Sequence, residues 1–267
     1  DLPSRSEVVV SGGGGSGGTA AIAAATSGAD VVLLEKNAAL GGTTARSIGS
    51  ISATRTRHQQ RLGIVDSPEE HYRDMPLFAR HVSRPDNDAL RRVLTENVPE
   101  TFRWLSAMGV EFFGPLEEPP HQKPRMHNVL PNSRAYIYHL ERRARKAGVQ
   151  LLTNSRARRL LVDDGTVVGV EFDQPGKPLQ TVHASCGVIL ASGDYAASPE
   201  MKGELISEAV ARTEAVNPTS TGDGQRMALE LGARIINADM FGGGARFVPP
   251  AKPSWISALP PSAWLMR

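Results

Sequence analysis

The feature that most constrains this chain is a run of glycines set between two strongly patterned segments. Val8-Val9-Val10 lead into Ser11-Gly12-Gly13-Gly14-Gly15-Ser16-Gly17-Gly18, and an alanine-rich stretch from Thr19 to Thr26 follows. A Gly/Ser run between domains behaves as a flexible linker. One bounded by a β-branched run and a helix-forming stretch is instead a tight turn from strand to helix. Gly28 ends that helix, and Asp30-Val31-Val32-Leu33-Leu34-Glu35 reads as a second strand. Strand, glycine turn, helix and strand in this order predict a parallel βαβ unit.

The residue types at this turn carry a chemistry. Gly12, Gly14 and Gly17 satisfy Gly-x-Gly-x-x-Gly, and Gly15 and Ser16 sit where the helix opens. Glycines let a backbone approach a pyrophosphate, and a helix N-terminus supplies N–H donors at a positive dipole end. Glu35 stands 18 residues past Gly17, at the end of the second strand, where a carboxylate accepts from ribose hydroxyls. An acidic residue there disfavours a 2′-phosphate, which sets NADP aside and leaves NAD and FAD open. The bland alternative is a plain tight turn with a surface glutamate.

The rest of the chain reads less evenly. Residues 37–65, rich in Gly, Ser, Thr and Arg, read as loop, and Asp66-Ser67-Pro68-Glu69-Glu70 as a helix start. Residues 86–108 have helical spacing, with Pro99 expected to kink or split the helix. Residues 114–133 hold five prolines and no period, which predicts a loop. Arg134–Ala147 reads as a helix and Val149–Leu152 as a strand. Residues 157–162, 166–172 and 179–184, around Asp164-Gly165, predict an antiparallel meander. A buried strand at Val188–Ala191 and a helix at Asp223–Leu231 follow.

Composition excludes several classes. The 267 residues are 40% hydrophobic and 22% charged, with a formal net charge of +2. That is ordinary globular composition with room for a sizeable core, and it gives no footprint for nucleic acid. No apolar run approaches ~18 residues, so no transmembrane segment is expected. The single cysteine, Cys186, excludes a disulfide framework and a Cys-based metal site. Its apolar surroundings read as those of a buried thiol, and a reducing, cytoplasmic compartment is consistent with it. No His-x-x-x-His pair is present, and metal and hydrolase readings have no support. The chain begins at Asp1 rather than Met, as a trimmed N-terminus would.

Residues 7–50, with Leu34-Glu35-Lys36 followed by Gly41-Gly42-Thr43-Thr44 and Ser47-Ile48-Gly49, resemble the fumarate reductase/succinate dehydrogenase flavoprotein family, which includes 3-ketosteroid dehydrogenases and urocanate reductase. Three later stretches are similar too: residues 148–172, Gly187–Tyr195 with Ala191-Ser192-Gly193, and Ser220–Ala233 with Thr221-Gly222-Asp223-Gly224. The resemblance implies a Rossmann-like α/β fold, a parallel sheet plus an antiparallel β-meander, that binds FAD. It implies that Gly41 to Gly49 pass along the pyrophosphate and under the flavin, that the Ala157 main chain meets the adenine, and that Asp223 lies near the flavin. Asp194 stands where the family has a second glycine. No His lies between Glu35 and His58, which implies non-covalent FAD.

The family continues past the end of this chain with a capping domain and a last segment that completes the flavin site. Residues 1–240 are therefore expected to be an incomplete FAD-binding domain, and 241–267 the start of a capping domain or an interdomain tail. A second polypeptide is the expected source of the remainder if it is not contiguous. The resemblance implies an oxidoreductase exchanging hydrogen across a carbon–carbon bond beside a carbonyl or carboxylate, with hydride passing through flavin N5. Its catalytic acid or base is not identifiable from these residues. Arg125-Met126-His127 resembles the Arg-x-His of some soluble fumarate reductases, and with Arg134 it suggests a cationic wall for a substrate carboxylate. The alternative is a solvated loop whose arginines pair with Glu117, Glu118 or Glu141. Two other functions stay open: a flavin-binding subunit not catalytic alone, and an NAD-dependent dehydrogenase.

Overall fold

The computed structural model describes residues 3–79 and 86–240. The expectations for 241–267 lie outside the described residues. In chain order the elements are β1 (Arg5–Ser11), α1 (Gly15–Thr26), β2 (Val31–Leu34), a 3-10 turn at Thr44–Arg46, β3 (Ser50–Ser52), α2 (Arg57–Arg61), α3 (Pro68–Asp74) and α4 (Asp88–Ala107). Then come β4 (Glu111–Leu116), β5 (Met126–Leu130), α5 (Arg134–Lys146), β6 (Gln150–Leu152), β7 (Arg156–Asp163), β8 (Thr166–Asp173) and β9 (Gln180–Leu190). The last are α6 (Pro199–Leu205), α7 (Glu208–Ala211) and α8 (Asp223–Glu230). The chain forms two compact units, one from residues up to Ser47 and from Tyr136 onward, the other from Ile48–Ala135.

The first unit is built on a six-stranded sheet in the order β6-β2-β1-β9-β8-β7. β6, β2, β1 and the second half of β9 run parallel; β7, β8 and the first half of β9 form the antiparallel meander expected from the sequence. β2 is buried along its whole length, as an unbroken Val-Val-Leu-Leu strand in a parallel sheet should be. Val9, Val32, Leu34, Leu160, Val170, Phe172, Val182 and Met227 form one core, each burial contributing roughly 1.5–3 kcal/mol. α1 buries Gly17, Gly18, Ala21 and Ile22, and the position a Gly18 Cβ would take is 3.5 Å from Leu140 of α5. Small residues are what let helices pack this closely. Asp164 and Gly165, both at positive φ, make the tight turn between β7 and β8.

Two features of β9 depart from expectation. Residues Gln180 to His183 pair with β8, while the partners of residues 184 to 190 lie on β1 alone, so the other edge of that stretch is unpaired among the described residues. Cys186, expected to be buried, is consequently exposed, and Ile189 and Leu190 are each 36% exposed.

The second unit holds a three-stranded antiparallel sheet, β3-β5-β4. β3 and α2 arise within residues read as loop, and the end of β4 and all of β5 within the proline-rich stretch 114–133 read the same way. Cross-strand pairing organises these segments although neither has a period. Thr56 caps α2 by accepting from Gln59 N–H, and the Gln59 side chain returns the bond, a capping box that stabilises a five-residue helix. α4 runs without a break through Pro99, which is buried with Val98, Phe102 and Leu105. Phe102 stacks against Phe112 of β4, with ring centroids 4.4 Å apart.

Two buried histidines give this unit a pH dependence. Burial lowers His71 to about 4, with Arg125 and His121 adding to the effect. Burial also lowers His127 to about 4, against the backbone carbonyl of Arg125 that favours its charged form. Below the ordinary value of 6.5 an unfolded chain takes up protons that these two sites refuse until about pH 4, so stability is lost as pH falls across that window. The expected loss is on the order of 2 kcal/mol per pH unit near pH 5. Urea unfolding followed by tryptophan fluorescence at pH 7, 6 and 5 measures it; equal midpoints at all three would refute it.

Candidate functional site

The site is the cradle at the carboxyl end of β1. Gly12 sits at φ +115, and a Cβ there would lie 2.3 Å from the Ala191 carbonyl oxygen at the end of β9. A Cβ on Gly17 would lie 1.8 Å from the Gly12 carbonyl oxygen. The strand end, turn and helix are therefore in backbone contact, and only glycine permits it. The capping position of α1 is Gly14, which brings no side chain to the helix N-terminus. The Gly15 N–H donates instead to Thr44 Oγ1, 3.0 Å away.

Glu35 knots the turn to the second strand. It is 4% exposed. Its Oε2 accepts from the Gly13 N–H at 2.8 Å, and its Oε1 accepts from the Asn37 N–H at 2.8 Å and Asn37 Nδ2 at 2.7 Å. The second glycine turn joins here, with the Gly41 N–H donating to the Gly13 carbonyl at 2.9 Å. Gly41 and Gly42 lie at φ +147 and +54.

α8 closes the opposite wall. Asp223, in its first turn, accepts from Lys36 Nζ at 3.0 Å, Arg156 Nη2 at 2.9 Å and Thr221 Oγ1 at 2.8 Å. Burial alone would raise this carboxyl; the bonds from Arg156, Lys36 and Thr221 outweigh it and hold its pKa at about 2. Gly193 sits at φ +83, whereas Asp194 is not among the positive-φ residues, so no glycine is needed at the position where the resembling family has one. The Asp194 carboxylate accepts from the Ala196 N–H at 2.8 Å, a local turn.

Together these walls enclose a cavity of about 690 Å³. Of the residues singled out from sequence, Gly12, Gly14, Gly15, Ser16, Glu35, Lys36, Gly42, Thr43, Thr44, Ala157, Ala191, Ser192, Gly193 and Asp223 line it. Gly17 and Gly41 act behind the wall through the backbone contacts above. Ser47 is exposed and its hydroxyl donates to the Thr44 carbonyl at 2.8 Å. Gly49 lies in the second unit, at φ +82, where a Cβ would meet Val129 at 2.4 Å. Sequence reasoning missed Arg156, Asn217 and Thr219, which also line the cavity. Arg156 directly precedes the singled-out Ala157; Asn217 sits in a stretch without period, and its only signal is lying four residues before Thr221.

The second unit holds Arg125, His127 and Arg134. Arg125 is fully buried, and its partners are Asp66 and Asp74 rather than Glu117, Glu118 or Glu141. Its Nε and Nη2 both donate to Asp66 at 2.8 Å, and Nη1 donates to Asp74. Burial works against all three charges, and the mutual hydrogen bonds prevail, raising Arg125 and lowering both aspartates. His127 Nδ1 donates to the Arg125 carbonyl at 2.7 Å, and Thr56 Oγ1, which already accepts from Gln59 N–H, donates to Nε2 at 2.9 Å. That arrangement describes a neutral ring. Arg134 is exposed at the start of α5. Among the described residues no group of histidines, cysteines and carboxylates suits a metal ion, and no helix is long and apolar enough to cross a membrane.

A glycine turn on a βαβ unit, an acidic residue closing the second strand and a meander leading to a further parallel strand define a dinucleotide-binding domain of the flavoprotein kind. The chain belongs to the FAD binding domain family, whose sequence model matches residues 7–254. It is 30% identical over 227 residues to fumarate reductase of Schizosaccharomyces pombe, covering 79% of this chain and 43% of that protein. It is 31% identical over 216 residues to urocanate reductase of Eggerthella lenta, covering 78% of this chain and 35% of that protein. In structure it is similar to 3-ketosteroid-Δ4-(5α)-dehydrogenase of Rhodococcus jostii RHA1, with a TM-score of 0.78 at 28% identity over 90% of this chain and 56% of that one. The open form of a flavocytochrome c3 fumarate reductase gives 0.80 at 28% identity over 87% of this chain and 41% of that one. The chain thus spans less than half the length of these two curated relatives.

The backbone contact at the turn yields a direct expectation. Gly17→Ala should destabilise the first unit by about 2 kcal/mol or more, since the clash is with main chain that has no flexible end to move. Urea unfolding measures it; a loss under about 0.5 kcal/mol would mean that the turn is looser than described.

Proposed function

We propose that this chain is the flavin-holding part of an FAD-dependent oxidoreductase that exchanges hydrogen across a carbon–carbon bond beside a carbonyl or carboxylate. The observation that carries the reading is the convergence of both glycine turns, Glu35 and the α1 N-terminus on one cavity of about 690 Å³. The residues present fit the cofactor. A glycine wall admits a pyrophosphate, the α1 N-terminus and Thr44 offer it donors, and the Glu35 carboxylate is placed for ribose hydroxyls. The described cavity lining contains no His, Cys or Tyr, which supports non-covalent binding. When bound, FAD supplies a hydride acceptor and donor at N5.

The chain's own residues bind and orient in this reading. Glu35 holds the Gly13 amide and the ribose edge together, while Lys36 and Arg156 fix Asp223 as a permanent anion on the α8 side. The unpaired edge of β9 borders the cavity through Leu190, and we assign it to a strand from the remainder of the protein, contiguous or in a second polypeptide. That remainder brings the acid or base that handles the second proton. Residues 1–240 are then the FAD-binding part, and 241–267 lead into the capping part. In the second unit Arg125 and His127 brace β5, and exposed Arg134 is the one of the three with its charge open to a carboxylate substrate. A small carboxylate and a steroid enone both suit this class; fumarate reductases and ketosteroid dehydrogenases are among the similar proteins.

The competing reading, a flavin module without turnover of its own, draws on the same unpaired edge. Purified protein should release FAD on denaturation, and Glu35→Ala should weaken FAD binding about tenfold or more in a fluorescence titration. Colourless protein that ignores FAD would overturn the proposal. Reduction of fumarate or oxidation of a 3-ketosteroid by protein containing this chain alone would remove the need for a remainder; bound FAD without turnover would favour the module.

A further inference from the structure

Asn217 has no role in the features above, yet it sits at the junction of two of them. It is 7% exposed and lines the cavity between the second glycine turn and the start of α8. Its Oδ1 accepts from the Thr219 N–H at 3.2 Å and the Thr219 hydroxyl at 2.9 Å. A backbone N–H only donates, so the amide has one possible orientation. Nδ2 therefore faces the other way, and its two hydrogens go to Ser220 Oγ at 3.0 Å and Thr43 Oγ1 at 3.1 Å.

A proton count follows. Thr43 Oγ1 and Ser220 Oγ are 3.2 Å apart, and each already accepts from Asn217, so one hydroxyl donates to the other. The remaining hydroxyl hydrogen has no acceptor among the described residues. Ser220 is 3% exposed whereas Thr43 is exposed. A buried O–H without an acceptor costs more than an exposed one, so Ser220 donates to Thr43 and the remaining hydrogen belongs to Thr43 at the cavity wall. Thr43 Oγ1 then accepts two hydrogen bonds, and an oxygen polarised in this way is the stronger donor.

We propose that Asn217 is a positioning residue that, directly and through Ser220, sets the Thr43 hydroxyl as a one-proton donor to an acceptor atom of the bound dinucleotide. This rests on the FAD reading above. It assigns Asn217 and Ser220 to cofactor affinity, although neither need touch the cofactor.

The test is a double-mutant cycle in the flavin-stripped protein, read by quenching of FAD fluorescence on titration. Asn217→Ala and Thr43→Val should each weaken FAD binding about tenfold or more, and the double variant should bind no worse than Thr43→Val alone. Full additivity would make Asn217 a merely structural residue and overturn the proposal. If Asn217→Ala fails to fold, Ser220→Ala takes its place; it should weaken binding severalfold in the wild-type background and not at all in the Thr43→Val background, and an equal loss in both would overturn the proposal. Wild-type protein that binds no FAD would overturn the cofactor reading and this inference with it. Wild-type binding with unaffected variants would overturn this inference alone.

Discussion

The first unit depends on one steric fact: the helix after β1 starts in backbone contact with the strand's own turn. The Gly17 position lies so close to the Gly12 carbonyl that any side chain would displace main chain. Holding this approach requires the turn to be tied down, and the tie is Glu35, a buried carboxylate whose oxygens take the amides of Gly13 and Asn37. A strand end, a helix start and a second strand end are thereby fixed by one side chain. The cavity is what this geometry leaves over, walled on the side of the turn by glycines and on the other sides by polar and charged side chains.

Each unit also holds a charge flanked by two opposite ones, partly buried in the first and fully buried in the second, with the signs reversed. In the first, Asp223 lies between Lys36 and Arg156; in the second, Arg125 lies between Asp66 and Asp74. Such clusters are weak sources of net stability, because desolvation offsets most of the attraction. Removing one partner is costly, so each cluster discriminates against misplacement of the elements it joins. For Asp223 these are the end of β2, the start of β7 and α8. For Arg125 they are the segment before β5 and both ends of α3. The same pairing changes what Arg125 offers a ligand: two carboxylates already surround it, and a third would meet repulsion.

The βαβ start, the meander and the two glycine turns were legible because each rests on local chemistry. Gly12, Gly17 and the Asp164-Gly165 turn are required by backbone geometry, and the Val-rich strands by burial. The second unit was poorly legible for the converse reason. Its strands β3, β4 and β5 are short, the last two interrupted or flanked by proline, and they exist through pairing with one another rather than through period or propensity. Pro99 shows the same override, since its helix is held by Val98, Phe102 and Leu105 packing beneath it. At the site, the residues whose place on the cavity wall follows from type and spacing were legible. Asn217 was not, because its contacts depend on which hydroxyls the fold brings beside it. Cys186 was misjudged because an apolar strand implies burial only when both its edges and faces find partners.

That last point bears on the cavity itself. β9 is paired with β8 alone at Gln180–Val182, with both neighbours at His183 and with β1 alone beyond it, and that last part is where Leu190 meets the cavity. A strand edge exposing unpaired N–H and C=O groups beside apolar side chains is an association hazard that proteins cover. Ile189 and Leu190, each 36% exposed, belong to a run with the composition of an interior strand. Composition and pairing agree that this edge is made to be covered, and a covering strand would lie along the wall of the cavity. The chain spans less than half of these two curated relatives, and under the proposed function the open edge of β9 is where the remainder would add its strand.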